Sequence, residues 1–151
     1  MIDRIHHTGF TVSSLDEALR FWVDVLGFEV AVRDDLPRGE FVEEVTGVRG
    51  ADLAIAMVTG PGHIVELIEY RGVAQQRLDA RPCDIGAAHV AFFVDDIEQV
   101  LARVRSSGWS ALGRVQHVAS GPWAGTQVAY IRGPDGIFIE LMQPNDPPAA
   151  S

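Results

Sequence analysis

The chain predicts an α+β fold of two tandem βαβββ modules, and three observations carry that expectation. The segment from His7 to Leu67 recurs loosely from His89 to Leu141, each copy with a His near its start and a Glu near its end. Each copy opens with an apolar strand-like run that leads into a capped stripe at helical spacing. Each closes with strand-like runs joined by a Gly-Pro turn, Gly60-Pro61-Gly62 in the first and Gly133-Pro134-Asp135-Gly136 in the second. A repeat this long is a module of several elements and not a solenoid unit. With 151 residues, 47% of them hydrophobic, a single domain over 1–151 is expected, with modules at about 4–70 and 86–144, a linker at 71–85 and a disordered tail at 145–151.

In the first module, residues 5–12 read as a strand. Ser13 or Ser14 then supplies a helix N-cap, with Asp16 or Glu17 three residues on to complete a capping box. Leu15, Ala18, Leu19, Trp22, Val25 and Leu26 recur at helical spacing, and Gly27 is placed to end the helix. Strands are expected at 28–32, 53–58 and 64–68, with an extra stretch at 33–50 that holds a short helix at 40–45. Residues 71–85 show no sustained apolar period and contain Pro82, so they read as the connection between modules. The second module opens with a strand at 90–94. Asp95 is expected to cap a helix with Glu98 at its third position, and Ile97, Val100, Leu101 and Val104 form its apolar stripe before Gly108. Strands at 115–118, 127–131 and 137–142 complete the module.

The formal net charge is −9, and no cluster of cations exists to displace counterions from phosphates, which excludes nucleic acid as a partner. All 12 basic residues are Arg, so a Schiff-base, pyridoxal phosphate or P-loop lysine is excluded by absence. No apolar run approaches the roughly 20 residues of a membrane-spanning helix, and the N-terminus lacks the layout of a signal peptide. No membrane association and a cytoplasmic location are therefore expected, and the single Cys83, placed in the linker, is compatible with a reducing compartment.

Strand alternation puts Glu66 on one face with Ile64 and Ile68, and Glu140 on one face with Phe138 and Met142. If those faces pack inward, each ionised carboxylate costs on the order of several kcal/mol to desolvate unless it is paired or metal-bound. With no Lys and no Arg in matching register, the simplest consistent solution is a divalent cation held by two imidazoles and two carboxylates: His7, Glu66, His89 and Glu140. His6 competes with His7, but the repeat aligns His7 with His89, and alternation would send His6 to the opposite face. His63 and His117 have no counterpart in the other copy and read as turn or surface residues.

These residues, in this order and in paired modules, resemble the vicinal oxygen chelate superfamily, which includes glyoxalase I, methylmalonyl-CoA epimerase, extradiol dioxygenases, fosfomycin-modifying transferases and bleomycin-resistance binding proteins. The matching segments are His7-Thr8-Gly9 with Val12 and the helix ending at Leu26-Gly27, Glu66-Leu67, His89 to Phe92 with Val94 to Asp96, and Pro134 to Gly136 before Glu140-Leu141. One departure is that Gly133 stands where the family's turn usually has Asp before its Pro. The resemblance implies a half-open mixed β-sheet cup around one divalent metal ion, with ligands at His7, Glu66, His89 and Glu140. It also implies a homodimer, since family members commonly cover sheet edges with a partner.

The resemblance further points to the chemistry through Glu66. The extradiol dioxygenases and fosfomycin transferases resemble a two-His, one-carboxylate arrangement, which would leave Glu66 unused. A fourth ligand in an octahedral site leaves two adjacent positions, enough for a chelating substrate but not for that substrate and dioxygen together. Glyoxalase I shares a Glu at that place. The implied reaction is metal-assisted proton transfer alpha to a carbonyl of a small-molecule substrate, either a small oxygenated compound such as a cyclitol or an acyl-CoA, with Glu66 or Glu140 as catalytic base on one face and the other returning the proton on the opposite face. An epimerase or isomerase, or a glyoxalase-type lyase, is expected, acting with Zn, Ni, Co or Mn, and Fe is disfavoured. The alternatives are a metal-free antibiotic-binding resistance protein and an extradiol-type dioxygenase.

Overall fold

A computed structural model of the chain describes residues 1–145; the expected disordered tail, Asn145 apart, lies outside the described residues. The chain divides into two compact units, Met1–Arg77 and Leu78–Ser151. Both are α+β units built on a mixed sheet.

The first unit runs β1 (Thr8–Thr11), α1 (Leu15–Leu19) continued by a π-helical segment (Arg20–Val25), β2 (Glu29–Leu36), α2 (Glu40–Thr46), β3 (Asp52–Gly60) and β4 (His63–Arg71). Its sheet has the order β1-β4-β3-β2, with β1 parallel to β4 and the other pairs antiparallel. Gly60 pairs with His63 across a two-residue turn, and Gly62 takes the positive φ of 70° that suits the position after a turn proline. One face of the sheet is fully packed: Ala56, Val58, Val65 and Leu67 have no exposed surface and lie opposite the helix residues Leu15, Ala18, Phe21 and Trp22 of the same core.

The second unit repeats the plan with β5 (His89–Phe93), α3 (Ile97–Ser106), β6 (Ser110–Ala111), β7 (Gln116–His117), β8 (Gln127–Arg132) and β9 (Phe138–Gln143). Here β5 is parallel to β9, β9 pairs with β8, and β8 pairs with both β6 and β7. Ile131, Ile139 and Leu141 form the packed face together with Ile97, Leu101 and Val104 of α3. Among the described residues no helix is long and apolar enough to cross a membrane.

Several local features differ from expectation. The first helix leaves α geometry after Leu19, where the Leu26 amide donates to the Phe21 carbonyl at 3.1 Å. Phe21 and Trp22 are adjacent and both wholly buried, which the wider π turn accommodates by facing two consecutive rings inward. Asp96, not Asp95, caps α3, with its Oδ1 accepting from the Gln99 amide at 2.9 Å. The cap must immediately precede buried Ile97, the first helical residue, and Ser14 stands in the same relation to Leu15. Finally, β1 begins at Thr8, so residues 5–7 are not strand and alternation does not govern His6.

A further duplication appears at the helix starts. The Leu15 amide donates to Glu69 Oε2 at 2.7 Å, and the Ile97 amide donates to Gln143 Oε1 at 2.8 Å. Glu69 and Gln143 each sit three residues after the module's predicted metal-binding Glu, so each last strand satisfies one orphan amide of its own module's helix. This cross-element bond fixes each helix against its sheet.

Candidate functional site

The parallel pairing at the start of each sheet brings each His to its Glu. In the first unit Gly9 pairs with Glu66, and His7, just ahead of the strand, brings its Nε2 to 3.2 Å from Glu66 Oε2. In the second unit Ala91 pairs with Glu140, and His89 Nε2 lies 3.3 Å from Glu140 Oε2. The register is the same in both: His, then a small residue two positions on, opposite Glu.

Neither acid lies on the packed face. Val65 and Leu67 take that side in β4, as Ile139 and Leu141 do in β9, leaving Glu66 and Glu140 on the faces turned away from α1 and α3, with side chains 21% and 20% exposed. In the first unit α2 covers part of this face: Val42 and Leu53 pack with Ile55, Ile68 and Tyr70. Val42 thereby explains the extra stretch between β2 and β3. His7 and Glu66, with Met57 directly across from Glu66 on β3, stay at the uncovered end. The second unit has no counterpart of α2 among its described elements, and its face carries Phe93 against Trp123, ring centroids 5.7 Å apart and both about half exposed.

His6 does not point away as alternation suggested; its Nδ1 lies 2.7 Å from Nδ1 of His7, beside the ring whose Nε2 meets Glu66. His63 opens β4 and meets Thr8 Oγ1 at 2.9 Å, a strand-start role. His117 lies exposed in the short strand β7, and Cys83 is an exposed free thiol. An arginine does share a face with one of the acids: Arg132 pairs in register with Phe138, two residues from Glu140, but its guanidinium is taken by Asp79 at 2.6 Å.

Tyr130 is the residue sequence reasoning missed. It stands directly across from Glu140 on β8, with its hydroxyl 3.1 Å from His89 Nε2 and donating to Glu140 Oε2 at 3.4 Å. Burial first, and then the Glu140 carboxylate, raise the phenol above its usual pKa of 10.0, so it remains a protonated donor at neutral pH. The signal was the hairpin itself: counting back across the Gly133 to Gly136 turn from Glu140 reaches Tyr130, just as counting back across Pro61-Gly62 from Glu66 reaches Met57.

Among the described residues no group of three or more His, Cys, Asp or Glu is placed to hold a metal ion. The four sequence-predicted donors are brought together as two pairs.

The comparisons with known proteins agree with this plan. The chain is 33% identical over 144 residues to a 2-epi-5-epi-valiolone epimerase of an Actinomyces species, covering 91% of this chain and 78% of that protein. It is 29% identical over 137 residues to a probable lactoylglutathione lyase of Synechocystis, covering 91% and 92%. Among solved structures it is similar to a glyoxalase family protein from Bacillus cereus, with 30% identity, 95% of both chains covered and a TM-score of 0.80. Residues 4–141 match the family model described as the Glyoxalase/Bleomycin resistance protein/Dioxygenase superfamily, and the chain belongs to that superfamily.

Proposed function

We propose that this chain is a divalent-metal-dependent enzyme that transfers a proton alpha to a carbonyl, an epimerase of a small oxygenated ketone or a glyoxalase-type lyase. The observation that carries the reading is the pair of identically registered His-Glu contacts, each with a nitrogen and a carboxylate oxygen aimed at each other on a partly open face. Two donors bonded at about 2.1 Å to one ion lie about 3.0 Å apart at right angles and about 3.4 Å apart at the tetrahedral angle. The separations of 3.2 and 3.3 Å fall between these values, so each pair fits two neighbouring positions on an ion. We take His7, Glu66, His89 and Glu140 as the ligand set, in a homodimer that holds one ion per chain.

A bound divalent ion supplies Lewis acidity to a substrate carbonyl oxygen. The residues of the chain do the rest. Glu66 and Glu140 are the groups able to accept the alpha proton, and carboxylates at two separate positions allow removal on one face and return on the other, which inverts a stereocentre. Phe93 and Trp123 offer an apolar flank beside the His89-Glu140 pair that limits water around the substrate. The names of the relatives favour this chemistry: one is an epimerase and others are lactoylglutathione lyases.

Three measurements test the reading. Elemental analysis of the purified protein should find about one divalent ion per chain, and His89→Ala should lose it; light scattering should report a dimer. In deuterium oxide, 2-epi-5-epi-valiolone and lactoylglutathione are the probes, and one of them should exchange a hydrogen next to its carbonyl. A chain that binds no ion and exchanges neither probe refutes the proposal, and oxygen uptake with an Fe²⁺ requirement would point to a dioxygenase instead.

A further inference from the structure

We propose that Tyr130 is a positioning residue that makes the two halves of the site unequal: it holds the Glu140 carboxylate in place and leaves Glu66 as the carboxylate that moves. This rests on the metal reading above and deepens it. The two modules put different residues at one matched position. Across from Glu66 stands Met57, and across from Glu140 stands Tyr130. A thioether donates no hydrogen bond, whereas a phenol donates one.

The Tyr130 hydroxyl has a single proton and two neighbours, His89 Nε2 at 3.1 Å and Glu140 Oε2 at 3.4 Å. When the Nε2 lone pair is committed to a cation, the carboxylate oxygen is the acceptor that remains of those two. A bond from a neutral donor to an ionised carboxylate is stronger than one between neutral groups, and partners of this kind fix the orientation of ligating carboxylates. The residues beneath the two acids differ in the same sense. Glu140 lies opposite Ala91, while Glu66 lies opposite Gly9, where an added Cβ would sit 3.5 Å from Glu66 Oε2. Glu140 is thus hemmed by a methyl group and a hydroxyl. Glu66 has a bare backbone and a flexible thioether as neighbours, so its carboxylate can rotate away from a ligand position and toward a substrate hydrogen at lower cost.

Calorimetric titration of the metal-stripped full chain with Co²⁺ tests the assignment. Tyr130→Phe should weaken Co²⁺ binding by about tenfold, the low end of what loss of a ligand's supporting partner does. The loss should persist in a Glu66→Gln background and shrink to under about threefold in Glu140→Gln, because Tyr130 acts through Glu140. Tyr130→Met, which copies the first module, should behave as Tyr130→Phe does and guards against a folding artefact of either variant. The visible absorption of the bound Co²⁺ should shift on Tyr130→Phe in the wild-type background, and the same substitution should add no further shift in the Glu140→Gln background. Equal losses in all three backgrounds mean a merely structural role and overturn the assignment, as does no loss at all. A wild-type chain that takes up no Co²⁺ refutes the metal reading itself and the assignment with it, whereas Co²⁺ binding without this coupling refutes the assignment alone.

Discussion

Glu69 is where a single side chain holds helix to sheet, and Glu69→Ala tests that arithmetic. Its carboxylate accepts from the Leu15 amide at 2.7 Å and from Arg71 Nε at 2.7 Å. Leu15 is 1% exposed, so removing the acceptor strands a buried amide, which costs about 1–3 kcal/mol. The Arg71 partner is 48% exposed, and an ion pair that open to solvent adds only about 0–1 kcal/mol. The expected loss for Glu69→Ala is therefore about 1–4 kcal/mol, measured by urea denaturation, with faster hydrogen exchange at the Leu15 amide as the local sign. Glu69→Gln keeps an amide oxygen for Leu15, as Gln143 does for Ile97, and should cost about 1 kcal/mol or less. The pH dependence has a definite sign. Burial raises the Glu69 pKa, but the bonds from Arg71 and Leu15 outweigh it and leave the carboxyl below its ordinary 4.5. Its stabilising contribution is complete above that value and is lost as pH falls below it; Glu69→Gln should lack this acid limb. An alanine variant as stable as the wild type, or a glutamine variant as damaging as the alanine, would refute the reasoning.

Glu66→Gln should retain most of the metal, since the amide oxygen still coordinates, while slowing alpha-hydrogen exchange of an accepted probe by about 10²- to 10⁴-fold; Glu140→Gln should slow it less, and equal exchange in Glu66→Gln and wild type would end its role as base. Gly60→Ala should destabilise by about 1–3 kcal/mol, because its Cβ would come within 2.6 Å of the Phe28 ring, itself packed edge-on to Trp22; the loss should be partly relieved in a Gly60→Ala, Phe28→Leu double variant, as urea midpoints would report. Asp96→Ala should lower stability by about 1 kcal/mol through the lost cap, while Asp95→Ala should stay within about 0.5 kcal/mol; the reverse order would restore Asp95 as the cap.

The module plan was legible because strands and helices announce themselves by period, and the long ones here keep theirs. Predicted strands at 53–58 and 64–68 became Asp52–Gly60 and His63–Arg71, and the short helix expected at 40–45 became Glu40–Thr46. The two-residue strand β6 has no period to read. Strand β2 runs on to Leu36, past the expected end at 32, because an exposed edge strand needs no apolar alternation to pair with β3. The π segment was invisible since its stripe of apolar residues matches that of an α-helix. Of the site, the His-Glu pairs could be found from the repeat alone, since parallel register carries a matched His and Glu to the same face twice. Tyr130, Glu69 and Gln143 could not be found that way. Their roles depend on cross-strand register and on contacts between elements, and the residues differ between the copies, so a search for sameness passes over them.

Duplication and divergence act on different parts of this molecule. What the two modules share is what any pair of donors on such a sheet requires: parallel first and last strands, a small residue opposite the acid, and an acceptor three residues later that ties the helix down. What they do not share lies around the donors. The first module covers one end of its open face with α2 and leaves Glu66 beside a thioether; the second has no counterpart of α2 among its described elements, sets Phe93 and Trp123 on that face, and puts a phenol against Glu140. A site with two equivalent carboxylates would remove and return a proton with equal ease on either side. On the proposed reading of the donors, unequal surroundings would break that equivalence without altering the ligands, and Met57 and Tyr130 are the residues at which it would be set.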